Sequence, residues 1–160
     1  MINAPGNAPQ KYGHLIVVVG LPGSGKTTYM QSLQVSNPAY VLFDDYQGKA
    51  YNSDPDPRLS EHFGHLVSVL KQGQTAVVSD VRYCDSGERN AFLGAILNAA
   101  PNVALSFTYF QNNPDLCKAN IQARGREDRV RDELVLVDEL TRLYAVPSIE
   151  VLPVYTGQGS

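Results

Sequence analysis

The sequence predicts an α/β fold, an open and mainly parallel central sheet of about four strands with helices on both faces. Three observations carry that prediction. Short apolar runs alternate with helix-like patterns from residue 14 onward. A glycine-rich stretch, Gly20-Leu21-Pro22-Gly23-Ser24-Gly25-Lys26-Thr27-Thr28, joins the first apolar run to the first helical pattern. Acidic residues close the second and third apolar runs, at Asp44-Asp45 and Asp80. In open parallel sheets, ligands sit beyond the carboxyl ends of the strands, where all these features converge.

The elements follow in order. His14 to Val19 reads as a strand that is apolar on both faces, and Gly25 to about Val35 as a helix that Asn37-Pro38 ends. Tyr40 to Phe43 is a short second strand. A Gly, Asn, Asp and Pro-rich loop from Gly48 to Pro57 precedes a helix from Arg58 to Gln72, in which Leu59, Phe63, Leu66, Val67 and Leu70 recur at helical spacing. Thr75 to Asp80 is the third strand. Ser86 is the expected cap of a helix over 87–100, and Val103 to Phe110 is the fourth strand. Asn113 caps a helix with Pro114 at its first position, running to Arg124 and stopping at Gly125. An Arg-rich link then leads to a last helix from Asp132 to Ala145, and Val151 to Tyr155 is a final apolar segment.

The 160 residues suit one domain, expected over 14–156, after a polar, flexible tail over 1–13. No apolar run reaches the roughly 20 residues of a membrane helix, and no signal-peptide core is visible, so a cytoplasmic protein without membrane partners is expected. Cys84 and Cys117 then read as free thiols. His62 and His65 make a poor metal site by themselves. A net charge of −3 argues against long tracking of a duplex through many phosphate contacts. Positive charge is local instead, at Lys118, Arg124, Arg126, Arg129 and Arg131. No obligatory protein partner is evident.

The glycine stretch matches the pattern Gly, four residues, Gly-Lys-Thr in its required setting between strand and helix, which makes the expected fold that of P-loop NTPases and kinases. Glycines let the backbone curl so that the amides of Gly23, Ser24, Gly25, Lys26, Thr27 and Thr28 face one anion, and the helix adds its positive end. ATP is the expected nucleotide. Lys26 brings a full charge to its outer phosphates, and Thr27 offers a hydroxyl to Mg²⁺. The guanine-reading Asn-Lys-x-Asp signature does not occur. Transfer to a hydroxyl needs a base and cations around the moving phosphoryl group. Asp44 is the candidate base, with Asp45 beside it on the substrate side. Asp80 ends its strand in Walker B fashion, to order Mg²⁺ through water or to hold the substrate, and Arg82 lies beyond it. Arg124 and Arg126 suit an arginine-bearing lid over the nucleotide phosphates, with Arg124 also a catalytic candidate.

These stretches resemble the kinase domain of phage polynucleotide kinases. The likeness rests on residues 20–28, on Asp44-Asp45-Tyr46, on Val78-Ser79-Asp80 with the later Glu88-Arg89, and on Lys118-Ala119-Asn120 through Arg124-Gly125. Leu143-Tyr144 and Leu152-Pro153-Val154-Tyr155 echo the family's closing segment. The resemblance implies that Asp44 is the general base and Arg124 the lid arginine. Two positions depart from the family: Gln47 stands where it has a phosphate-gripping arginine, and Arg82 where it has an asparagine. A related phage class phosphorylates the hydroxymethyl group of 5-hydroxymethyluracil in DNA, with the same engine and another pocket. The expectation is an ATP- and Mg²⁺-dependent kinase that contacts DNA locally and phosphorylates a base hydroxymethyl group or a 5′ end. A small-molecule or nucleotide kinase and a nucleotide-binding module without transfer remain open alternatives.

Overall fold

A computed structural model describes residues 12–44, 46, 61–125, 127–148 and 150–156. Asp45, Gln47, Arg58, Arg126 and most of the expected tail lie outside the described residues. Strands β1 (His14–Val19), β2 (Val41–Phe43), β3 (Thr75–Ser79) and β4 (Ala104–Tyr109) form one four-stranded sheet in the order β2-β3-β1-β4, with every neighbouring pair parallel. The described helices are α1 (Lys26–Ser36), α2 (Glu61–Lys71), α3 (Ser86–Ala99), α4 (Pro114–Arg124) and α5 (Glu127–Thr141).

Strand alternation divides the core in two. Leu15, Val17 and Val19 of β1, with Ala76 and Val78 of β3, belong to the larger apolar cluster, which takes in Leu66 and Leu70 of α2, Phe92 and Ile96 of α3, Ile121 of α4 and Val137 of α5. Ile16 and Val18, with Val77, face the opposite way and pack with Met30 and Leu33 of α1, Phe110 and Leu152. A central strand buried on both sides explains why β1 reads as unbroken apolar residues rather than as an alternation.

Asp44 lies beside the glycine loop although β3 separates β2 from β1. The carboxylate reaches the loop by side-chain contact at the strand ends, past one intervening strand. Two expectations are corrected. The last helix starts at Glu127 rather than Asp132, so the Arg-rich stretch is mostly helix and not a link. Asp85, not Ser86, caps α3, its carboxylate accepting from the Gly87 amide at 2.9 Å. The final apolar segment does not add a full strand. Leu152 makes an isolated parallel bridge to Phe110, donating to Tyr109 O and accepting from the Gln111 amide, each at 2.8 Å.

An aromatic cluster fixes the corner from which Asp44 projects. Phe43 and Tyr46, on either side of it, are buried. The Tyr46 ring lies 4.7 Å from His62 and 5.3 Å from Phe92, and Phe92 stacks on Tyr83 at 4.8 Å. His62 and His65 both lie against Phe43, at 5.2 and 5.1 Å between ring centres, so the pair serves as packing. Edge-to-face and offset contacts of this kind add about 0.5–1.5 kcal/mol each beyond area burial.

Phe92→Ala is expected to destabilise the protein by about 3–5 kcal/mol, since it opens a cavity between two tyrosines. Phe107→Ala, at a ring 37% exposed on the edge strand, is expected to cost no more than about 1 kcal/mol. Denaturant midpoints of the two variants check the contrast, and equal losses would contradict this view of the core.

Candidate active site

The glycine loop leaves β1 at Val19 and enters α1 at Lys26. Two of its glycines are required by geometry. Gly23 has φ 80°, and a Cβ there would lie 2.5 Å from Cys117 O on α4. Gly25 has φ 108°, and a Cβ there would lie 2.7 Å from Tyr155 Cβ. Left-handed backbone and lack of space act together, so only glycine fits. The Ser24 amide donates to Leu21 O at 3.1 Å, closing the turn.

Lys26 is 7% exposed, and its ammonium donates to Leu21 O at 2.9 Å. Burial pushes its pKa down, against the opposing pull of nearby negative groups that include Asp44 and Asp80. A buried cation beside the loop is an expensive arrangement for a purely structural core.

Beside Lys26, the Thr27 hydroxyl donates to Asp44 Oδ2 at 2.6 Å, and the Ser79 hydroxyl donates to Asp44 Oδ1 at 2.8 Å. One carboxylate thus ties together the start of α1, the end of β2 and the end of β3. Asp44 and Thr27, expected to act as base and metal ligand, are in direct contact. Their oxygens are the kind that a hard cation such as Mg²⁺ takes, so the donor set fits that ion. Ser79, which is fully buried, had been given no role from the sequence. Its signals there are its place at the strand end and its membership of the stretch Val78-Ser79-Asp80.

Asp80 is 2% exposed and accepts from the Arg82 amide at 2.8 Å, capping a short 3-10 turn over Val81–Cys84. It therefore has a structural role as well as a place in the site. With Pro22 of the loop, Arg82, and Arg129, Glu133 and Leu136 of α5, Asp80 lines a cleft of about 280 Å³. The thiols of Cys84 and Cys117 are free and buried, and burial pushes them up to about 12 and about 11, which makes them poor nucleophiles near neutral pH.

Arg124 ends α4, with Gly125 in the left-handed conformation just after it. Its guanidinium donates to Glu133 of α5 at 2.9 Å. This ion pair is largely shielded, the two side chains being 12% and 16% exposed, and among the described residues Arg124 Nε and Glu133 Oε1 have no hydrogen-bond partner. Glu133, also missed in the sequence, lies in the next helix and carries no motif. Thr28 follows Thr27 in the first turn of α1 and is partly buried. Arg82 and Arg129 are exposed.

Lys26→Met is expected to abolish nucleotide binding and to raise stability near neutral pH, because it removes the cost of burying a cation. The pH dependence has a definite sign. Where the folded pKa lies below 10.5, the unfolded chain binds more protons between the two values, and wild-type stability rises with pH through that window. The advantage of the methionine variant should therefore be larger at about pH 7 than at about pH 10. Thermal unfolding at both pH values checks this. A methionine variant less stable than wild type at the lower pH would contradict it.

Comparison with known proteins agrees with this geometry. A protein of Acanthamoeba polyphaga mimivirus, R277, is 27% identical over 132 residues, covering 82% of this chain and 86% of that protein. A gluconokinase from Sinorhizobium meliloti 1021 is similar in structure, with a TM-score of 0.53 at 18% identity over 90% of this chain and 82% of that one. A chain of the Pnkp1/Rnl/Hen1 RNA repair complex has a TM-score of 0.54 at 13% identity over 92% of this chain and 51% of that one, so this chain spans about half its length. The fold is the α/β fold of P-loop kinases. The family model for the AAA domain matches residues 15–145, and the chain belongs to that family.

Proposed function

We propose that this protein is an ATP-dependent kinase that phosphorylates a hydroxyl of DNA. The observation that carries the transfer reading is the placement of the Asp44 carboxylate, held by Thr27 and Ser79 beside a phosphate-type loop with a buried lysine. In the reaction, the acceptor oxygen attacks the γ-phosphorus and the bond to the β-phosphate bridging oxygen breaks. ADP leaves, and the hydroxyl proton passes to Asp44. Mg²⁺, held by Thr27 with Asp44 beside it, would neutralise charge on the β- and γ-phosphates. Lys26 offsets charge on the outer phosphates, and Arg124 stands at the end of α4 as the lid cation.

The DNA acceptor is supported by the cleft beside Asp80, where Arg82 and Arg129 supply two cations from different elements. A phosphate of a DNA strand fits such a pair better than a neutral sugar does. The favoured acceptor is the hydroxymethyl group of 5-hydroxymethyluracil, followed by the 5′-hydroxyl end. This order rests on Gln47, a neutral amide where the resembling end-kinases have an arginine. The similarity to a gluconokinase favours a second reading, a small-molecule kinase with the same transfer machinery.

A competition assay with labelled ATP tests the choice, using DNA that contains hydroxymethyluracil, plain DNA with a free 5′ end, and small polyols. Label is expected mainly on the modified base. Label on the 5′ end would assign the protein to the end-kinases, and label only on polyols would exclude the DNA reading. Arg82→Ala is expected to lower kcat/KM for DNA by about 10- to 100-fold, the loss of one charged contact, with little change in ATP binding.

A further inference from the structure

The phosphate loop does not hold its shape unaided. Asn120 lies on the face of α4 turned toward the loop and is 2% exposed. Its side-chain amide donates to Gly23 O at 2.9 Å and to Tyr155 O at 2.6 Å, using both hydrogens of one nitrogen. The Tyr155 amide in turn donates to Ser24 O at 3.0 Å. The segment Leu152–Tyr155 is fastened at its other end by the bridge to Phe110, and Val154 is buried. Two consecutive loop carbonyls are therefore gripped from one side, one by α4 and one by the C-terminal segment.

A trans peptide points its C=O and its following N–H in opposite directions. Fixing the Gly23 and Ser24 carbonyls consequently fixes the amide of Ser24, which donates within the loop to Leu21 O, and the amide of Gly25, which faces away from the holder of the Ser24 carbonyl. Gly25 is the residue whose left-handed backbone most needs outside restraint, since no side chain of its own limits it. We infer that Asn120 is a positioning residue for donor-nucleotide binding. It locks the C-terminal segment Leu152–Tyr155 onto the glycine loop and so fixes the turn at Ser24 and sets the direction in which the Gly25 amide is offered to phosphate. Nothing in the loop motif contains this residue, which stands 97 positions from Gly23 in the chain. The inference rests on the nucleotide-binding reading of the loop and is independent of the acceptor.

The test measures ATP and ADP affinity by direct titration, with kcat and acceptor KM beside it, in the full chain. Asn120→Ala is expected to weaken nucleotide binding about tenfold or more, the loss of buried hydrogen bonds, and to leave acceptor KM within about twofold. Tyr155→Pro, which removes the N–H given to Ser24, should weaken binding by a similar factor. The two together should lose much less than the product of the separate losses, since both break one circuit. Asn120→Asp, which keeps the shape but sets a carboxylate against two carbonyls, serves where the alanine variant does not fold and should show the same loss. Asn120→Gln should not restore binding, because its longer stem moves the amide off both carbonyls. A purely structural asparagine would lower the melting temperature and leave the affinity of the folded variants unchanged, and that result overturns the inference. Failure of the wild-type chain to bind ATP would instead overturn the nucleotide-binding reading.

Discussion

One carboxylate sets the geometry of the site. Asp44 accepts from Thr27 at 2.6 Å and from Ser79 at 2.8 Å, and these three residues come from α1, β2 and β3. The strand order β2-β3-β1-β4 makes this possible, because β3 spaces Asp44 from the loop and contributes Ser79 to fill the gap. The aromatic cluster around Phe43 and Tyr46 then keeps the end of β2 from drifting. Packing on one face of the sheet thus becomes the placement of a carboxylate beside the glycine loop.

The site concentrates costly features that a purely structural core would avoid. Lys26 is buried with its pKa pushed down, Asp80 is 2% exposed, and Arg124 meets Glu133 with one polar atom on each side left without a partner among the described residues. Replacing such groups with apolar side chains of similar volume is often neutral or stabilising. Their presence together at the carboxyl ends of parallel strands is what binding and transfer of a charged group would require. The half-satisfied pair of Arg124 and Glu133 has the same character, since an arginine fork facing one carboxylate oxygen keeps capacity for another anion.

Much of this was legible in the sequence because it is local. Strand and helix patterns depend on neighbours a few positions apart, and the glycine loop carries its spacing within nine residues. The start of α5 was not legible. Gly125 and the run of arginines resemble a link, while the apolar face that docks this helix, through Val130, Leu134 and Val137, is diluted by charged residues between them. Strand order was not legible either, since β2 is a short strand with no signal for which edge it joins. The residues missed in the site, Ser79, Asn120 and Glu133, act across long stretches of chain; Ser79 and Asn120 lie in stretches that carry the resemblance, but nothing in the sequence assigns either of them a contact. Asn120 in particular reads as an indifferent helix residue until its amide is seen between two carbonyls of distant segments.

The most direct test of the account is single-turnover transfer of labelled γ-phosphate by Asp44→Asn beside wild type, with ATP affinity measured on the same samples. The amide keeps the shape of the carboxylate, and it loses the charge and the capacity to take the acceptor proton. The account predicts a fall in the transfer rate of about 100- to 10,000-fold, the range for removing a general base, with ATP affinity within a few-fold of wild type. Transfer at a near-normal rate with unchanged ATP binding would contradict it and move the chemistry away from Asp44.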